Sequence, residues 1–239
     1  MNILITGGAS GLGRAITQES ARNPSNIIYF TFNSSSANAR ELERYLPNAH
    51  GIKCNFTDEK ELAALIAKMR EMDLDVLINN AITGIMKGYF HKIPAEKFLG
   101  SFCDNVLPVI RITQKAIEVF RTKMSGRIVT ILSTALAHKP PIGWSEYTAN
   151  KAYLLALTRS WASENGRFNI TANCVSPSLM RTKLTGDMDE REMERIISAA
   201  PIKRLLTVEE TAKRVLELVN ASANINAQNI RLDGVDLRE

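Results

Sequence analysis

The sequence has little that would staple, tether or disorder it. Its three cysteines, Cys54, Cys103 and Cys174, are odd in number and far apart, which excludes a CxxC metal site and a disulfide framework and predicts a reducing, cytoplasmic setting. No apolar run reaches the roughly 20 residues that a membrane helix needs. The opening residues Met1-Asn2-Ile3-Leu4-Ile5-Thr6-Gly7-Gly8 enter a strand-like run with no basic region before it, so no export signal is predicted. A long basic stretch is also missing. Lys and Arg number 30 against 25 Asp and Glu, a net +5, but the signs are interleaved as on solvated helix faces, which predicts no nucleic-acid partner. His50 and His91 have no partners at metal-ligand spacing, so no metal is expected.

What is present is enough apolar material for a large core. With 239 residues, 45% of them hydrophobic, the chain is expected to form one domain over 1–239 without covalent staples. Short apolar runs at 2–6, 26–32, 50–54, 75–78, 126–132, 168–175 and 228–232 alternate with segments of helical period. The helical segments are 11–22, 36–46, 58–72, 95–122, 145–165, 188–198 and 207–219. Such alternation predicts βαβ units, hence an α/β, Rossmann-like doubly wound sheet of seven mainly parallel strands flanked by helices. Ligands of such sheets sit at the carboxyl ends of the strands, where strand order reverses. Thr207 and Glu210 form a capping-box pattern at the start of the last helix.

Two local patterns carry chemistry. The segment Thr6-Gly7-Gly8-Ala9-Ser10-Gly11-Leu12-Gly13 lies between the first strand and the first helix. Glycines there allow a tight turn and close approach of a pyrophosphate to the free N–H groups of a helix N-terminus. After the second strand the chain reads Asn33-Ser34-Ser35-Ser36, with no carboxylate to repel a 2′-phosphate. That favours NADP(H) over NAD(H) weakly. The hydroxyls, with Arg14 or Arg40, are available to such a phosphate, and the same serines are also suited to cap the next helix. Further on, Tyr147 and Lys151 stand four residues apart near a helix start, on one face. An ammonium beside a phenol lowers its pKa from about 10 and makes it a usable general acid. Ser133 ends the apolar strand before them, a place where a carbonyl can be held.

Together with Asn79-Asn80-Ala81 and Asn105, these residues occur in the order and at about the spacings of the classical short-chain dehydrogenases/reductases. The chain resembles that family over essentially its whole length, through Asn173-Cys174-Val175-Ser176-Pro177 to Leu232-Asp233-Gly234. The resemblance implies a tetrad: Tyr147 as proton donor, Lys151 lowering its pKa and holding the nicotinamide ribose, Ser133 orienting the carbonyl, and Asn105 supporting a water relay. It also implies that Gly7, Ser10, Gly11, Leu12 and Gly13 line the pyrophosphate, Asn33 and Ser34 the adenosine ribose, and Asn55 and Phe56 the adenine, with Asn80 beside the cofactor. Departures from the family pattern are Ile82 and Ser178 where glycine is usual and Asn55 where aspartate is common. Ser133 lies fourteen residues before Tyr147, one more than the common spacing, which makes Thr134 a lesser candidate for its role.

Within the family the pattern is most similar to 3-oxoacyl carrier-protein reductases. It implies an NAD(P)H-dependent ketoreductase acting on a small carbonyl or alcohol substrate, including one carried as a thioester, for which Arg121, Lys123, Arg127 and Arg167 offer a basic rim. Rival readings are a dehydrogenase or reductase of a sugar or secondary-metabolite intermediate and a non-catalytic nucleotide sensor. The segment 180–206, with Met188 and Met193, reads either as a cover over the substrate or as an ordinary amphipathic helix, and His138 either as a substrate contact or as a solvent-facing residue. The helices at 95–122 and 145–165 resemble those that build homo-oligomers, tetramers or dimers, in this family. Trp161, Leu154, Leu155 and Leu157 are alternatively plain core.

Overall fold

Strand β1 (Asn2–Ile5) is almost wholly buried because Ile3, Leu4 and Ile5 face helices on both sides of the sheet. A computed structural model describes residues 1–137, 140–186, 188–199 and 202–233. In it β1 is central to one seven-stranded sheet with β2 (Ile27–Phe32), β3 (Ala49–Lys53), β4 (Val76–Asn79), β5 (Gly126–Ile131), β6 (Ile170–Pro177) and β7 (Asn229–Leu232). The order is β3-β2-β1-β4-β5-β6-β7, and every pair is parallel. The expected doubly wound sheet is therefore present, with strand order reversing between β1 and β4.

The helices are α1 (Gly11–Ala21), α2 (Ser36–Tyr45), α3 (Glu59–Lys68), α4 (Ala95–Asn105), α5 (Leu107–Lys123), α6 (Ser145–Asn165), α7 (Glu190–Ala199) and α8 (Val208–Val219). Two apolar clusters cover the two faces. One joins Leu4, Leu77 and Ile128 to Ile112, Phe120, Leu154 and Trp161, with Leu155 and Leu157 packed against it. The other joins Ile3, Ile5 and Val129 to Ile16, Val215 and Leu218. Trp161 and its leucine neighbours are thus core.

The single helix predicted at 95–122 is two. It breaks at Val106, whose N–H still bonds the carbonyl of Phe102, and α5 restarts with Pro108 in its first turn. Proline has no N–H to give and disfavours helical backbone in the residue before it. The strand predicted from 168 begins at Ile170, because Gly166–Phe168 is a 3-10 turn and Asn169 takes left-handed backbone (φ 57°). Helix α3 starts at Asp58, whose carboxylate accepts from the N–H groups of Lys60 and Glu61. The capping box at Thr207 and Glu210 is complete.

Candidate active site

Four strand ends at the β1/β4 reversal assemble the site. Beyond β1, Gly7 (φ +67°) and Gly11 (φ +50°) take left-handed backbone, which glycine adopts without strain. A Cβ on Gly13 would sit 2.1 Å from the Gly7 carbonyl oxygen, so the turn closes only with glycine there. The turn is braced from β4: Asn80 Nδ2 donates to the carbonyls of Thr6 and Gly7 at 2.9 and 3.3 Å, and Thr6 Oγ1 accepts from the N–H groups of Asn80 and Ala81. Leu12 turns its side chain into the core. Ser10 occupies the N-cap of α1 but makes no side-chain cap bond, and the first turn carries no acidic residue. The uncapped N–H groups and their positive dipole end fit the pyrophosphate of a dinucleotide. A Cβ on Gly11 would meet only Thr182, at 3.7 Å, so the 180–206 segment reaches the turn through a residue that its sequence did not single out.

The residues expected to face the adenosine lie at the ends of β2 and β3. Asn33 and Ser34 are exposed, and Ser35 sits at the N-cap of α2 without a side-chain cap bond, so its hydroxyl is not spent on the helix. Arg14 is held by Glu41, Nη1 to Oε2, at 3.0 Å. Asn55 Oδ1 accepts from Thr57, and Phe56 packs against the core.

The residues expected to form the tetrad come from β5, α4 and α6. Ser133 follows β5, its Oγ accepts from the N–H of Ala135 at 3.2 Å, and its hydroxyl is near enough to the Tyr147 phenol to favour the ionised form. Thr134 begins a 3-10 turn (Thr134–Leu136); Ser133, not Thr134, is the hydroxyl that acts on Tyr147. Tyr147 and Lys151 lie one turn apart on α6, both 8% exposed. Trp144 packs edge-on against the Tyr147 ring, with centroids 5.5 Å apart. Burial pushes the Tyr147 phenol above its ordinary value, the Ser133 hydrogen bond working in the opposite direction. Lys151 Nζ stands 5.8 Å from the Tyr147 ring centre and donates to the Ile131 carbonyl at 2.7 Å. Burial lowers its pKa to about 8, nearby Cys174 opposing that shift. In this arrangement desolvation is the larger influence on Tyr147, in the direction opposite to the lowering expected from Lys151. Asn105, the last residue of α4, joins Tyr147, Lys151, Ala81 and Ile82 around a small pocket of about 10 Å³, room for about one water.

Across α6 from this pocket a groove of about 420 Å³ runs between Tyr89, Phe90, Pro140, Pro141 and Ile142 and the α6 residues Thr148, Ala149 and Ala152. Nearly all of these are apolar. Met193 of α7 is buried. His138, Lys139 and Gly234, singled out in the sequence, lie outside the described residues. The proposed basic rim is not at the site. Arg121 bonds Asn165 and stacks on Phe168, as does Arg167; Lys123 pairs with Asp73 and Asp75, and Arg127 bonds the Asn169 carbonyl. All four lie near the start of β5, a strand length of roughly 20 Å from Ser133. The described residues hold no cluster of metal-ligating side chains and no helix long and apolar enough to cross a membrane. Three polar residues that the motifs did not flag, Ser101, Glu146 and Asn150, lie against the tetrad.

A parallel doubly wound sheet with a glycine turn at the reversal and a Tyr/Lys pair beyond β5 defines a dinucleotide-dependent oxidoreductase. The short chain dehydrogenase family profile matches residues 1–193, and the chain belongs to that family. It is 28% identical over 236 residues to the 3-oxoacyl-(acyl-carrier-protein) reductases FabG of Buchnera aphidicola subsp. Baizongia pistaciae and of Escherichia coli K12, covering 97% of this chain and 95% of each relative. Among solved structures, an actinorhodin polyketide ketoreductase variant with NADPH superposes with a TM-score of 0.86 at 25% identity, over 98% of this chain and 95% of that one.

Proposed function

We propose that this protein is an NAD(P)H-dependent ketoreductase that uses Tyr147 as proton donor. The observation that carries the reading is the convergence of Asn105, Tyr147 and Lys151 on one pocket, with Ser133 near Tyr147, at the strand ends that also hold the uncapped glycine turn. The whole chain acts as one catalytic unit, with 180–206 as its cover.

A nicotinamide dinucleotide supplies the hydride when bound. Gly7, Ser10, Gly11, Leu12 and Gly13 would hold its pyrophosphate, Asn33 and Ser34 its adenosine ribose, Asn55 and Phe56 its adenine, and Asn80 keeps the turn in shape. The serines after β2 and the lack of a carboxylate among them favour NADPH over NADH. The Ser133 hydroxyl and the Tyr147 phenol, already facing each other, converge on the carbonyl oxygen of the substrate. Burial keeps Tyr147 protonated at neutral pH, so its resting form is the acid that a reduction needs. As negative charge develops on the carbonyl oxygen, Tyr147 gives up its proton there. The Lys151 ammonium would hold the ribose and stabilise the phenolate left behind, and Asn105 closes the pocket through which a proton returns.

A 3-oxoacyl thioester is the substrate class favoured here, with the apolar groove across α6 as the surface offered to its acyl chain. The relatives named 3-oxoacyl reductases support it. Leu107 and Tyr153, exposed on the outer faces of α5 and α6, support association with a second copy, as a dimer or tetramer.

The test is oxidation of NADPH and of NADH with acetoacetyl thioesters of coenzyme A and carrier protein. We expect turnover with NADPH, and Tyr147→Phe to lower kcat by about 10²- to 10⁴-fold, the usual worth of a positioned general acid. Equal turnover by wild type and Tyr147→Phe overturns the assignment. Binding of NADPH without reduction of either thioester removes the acyl substrate class.

A further inference from the structure

Glu146 has no part in the chemistry described so far, yet it is 2% exposed and immediately precedes Tyr147. Buried carboxylates are rare unless paired with a cation. This one has only neutral partners. Its Oε1 accepts from Ser101 Oγ in a very short contact and from Asn150 Nδ2 at 2.7 Å. Its Oε2 is buried and has no hydrogen-bond partner among the described residues. An apolar side chain would fill this place at lower cost, so the buried polar group calls for a reason.

The hydrogen bonds give one. Ser101 Oγ accepts from Asn150 Nδ2 at 3.0 Å and from Asn105 Nδ2 at 3.3 Å. Both its lone pairs are used, so its proton points to Glu146 Oε1. Asn105 Nδ2 also donates to the Ser101 carbonyl at 3.2 Å, and its Oδ1 accepts from the N–H and hydroxyl of Thr83, at 2.8 and 3.0 Å. A single polar chain thus runs from Glu146 through Ser101 and Asn105 to Thr83. On α6 it is anchored by Glu146 and Asn150, each one residue before Tyr147 and Lys151. On α4 it is anchored by Ser101 and Asn105, one turn apart. Any slip of α6 along α4 moves Tyr147 and Lys151 relative to Asn105, and this chain ties the two helices at that register.

We propose that Glu146 is a positioning residue for the reaction: through Ser101 it fixes Asn105 and the register of α6, and with it the placement of Tyr147 and Lys151. The inference rests on the ketoreductase reading above. The titratable groups that line the pocket with Glu146 are Tyr147 and Lys151, while α4 presents only the Ser101 hydroxyl and the Asn105 amide.

The experiment measures kcat, KM and NADPH Kd for wild type, Glu146→Ala, Glu146→Gln, Ser101→Ala and the double variant E146A/S101A, with Tyr147→Phe as control. A positioning role predicts that Glu146→Ala and Ser101→Ala each lower kcat by about tenfold or more, with NADPH Kd within about twofold of wild type. The double variant should be no slower than the slower single, because both cut the same chain. Glu146→Gln keeps an acceptor oxygen for Ser101 and Asn150 and should return kcat to within about threefold of wild type.

Wild-type kcat in Glu146→Ala or Ser101→Ala, multiplying effects in the double variant, or a Gln variant as slow as Ala overturns the proposal. A purely structural role would instead lower the thermal midpoint at unchanged kcat per folded molecule. If Glu146→Ala does not fold, Ser101→Ala and Glu146→Gln decide by the same criteria. Absence of both NADPH binding and turnover in wild type removes the ketoreductase reading and this inference with it; an active wild type with unaffected Glu146 variants removes the inference alone.

Discussion

Lys151 carries a burial cost that the role proposed for it makes testable. Its ammonium is taken out of water with a backbone carbonyl as its hydrogen-bond partner, and burial brings its pKa from 10.5 to about 8. The charged form is the one disfavoured by desolvation, so the protonated fraction falls as pH rises through about 8. An ammonium that holds the ribose of a nucleotide must be protonated to bind. We therefore expect the NADPH dissociation constant to rise by about tenfold between pH 7 and pH 9, read by fluorescence titration, as the protonated fraction drops. A flat profile, or tighter binding at pH 9, would show that the Lys151 charge plays no part in holding the nucleotide. The Tyr/Lys spacing was legible in the sequence because two residues on one helix share a face at that interval. Which of them the surroundings would desolvate, and by how much, was not, because desolvation comes from β5 and the loops packed over α6.

Among the elements, α8 has the most complete N-terminus. Thr207 Oγ1 accepts from the Glu210 N–H, Glu210 returns the bond to the Thr207 N–H, and Arg204 pairs with the same carboxylate, holding its pKa at about 2. Replacement of Thr207 by alanine should cost about 1 kcal/mol, and a chain of this size should then lose about 2 to 4 °C in Tm. Calorimetry of the variant checks this. No change in Tm would mean that α8 is held by its apolar face alone. The capping box was readable because a cap is local, its two residues three apart in one chain. The break between α4 and α5 was not read, although Pro108 marked it. The apolar period runs across Val106 without interruption, and periodicity outweighed a single residue. That break matters to the site, since it leaves Asn105 at a helix end facing Tyr147 and Lys151.

For the whole molecule, the sheet decides what can reach what. Arg121, Lys123, Arg127 and Arg167 are close to Ser133 in sequence or in kind, but β5 carries the chain from one edge of the fold to the other before Ser133 is reached. The apolar surface nearest in the fold is instead the groove across α6, at Phe90 and Ile142. Ile142 is 73% exposed, so its replacement by serine should leave folding and kcat unchanged. It should raise KM for a six-carbon 3-oxoacyl thioester by about three- to tenfold, the worth of about one lost apolar contact, and leave the acetoacetyl thioester unaffected. Equal KM changes for both substrates would place the acyl chain elsewhere.

By itself the sequence determined the alternation of strands and helices, the glycine turn and the spacing of Tyr147 and Lys151. These are set by neighbours within a few residues, through backbone freedom at glycine, helical repeat and local capping. Only the tertiary structure decided that Glu146, Ser101 and Asn150 face Asn105, that Ser133 rather than Thr134 meets Tyr147, and that the basic residues lie away from the site. Each of these depends on which side chains two separate elements bring together, and that is fixed by the packing of helices on the sheet rather than by distance along the chain.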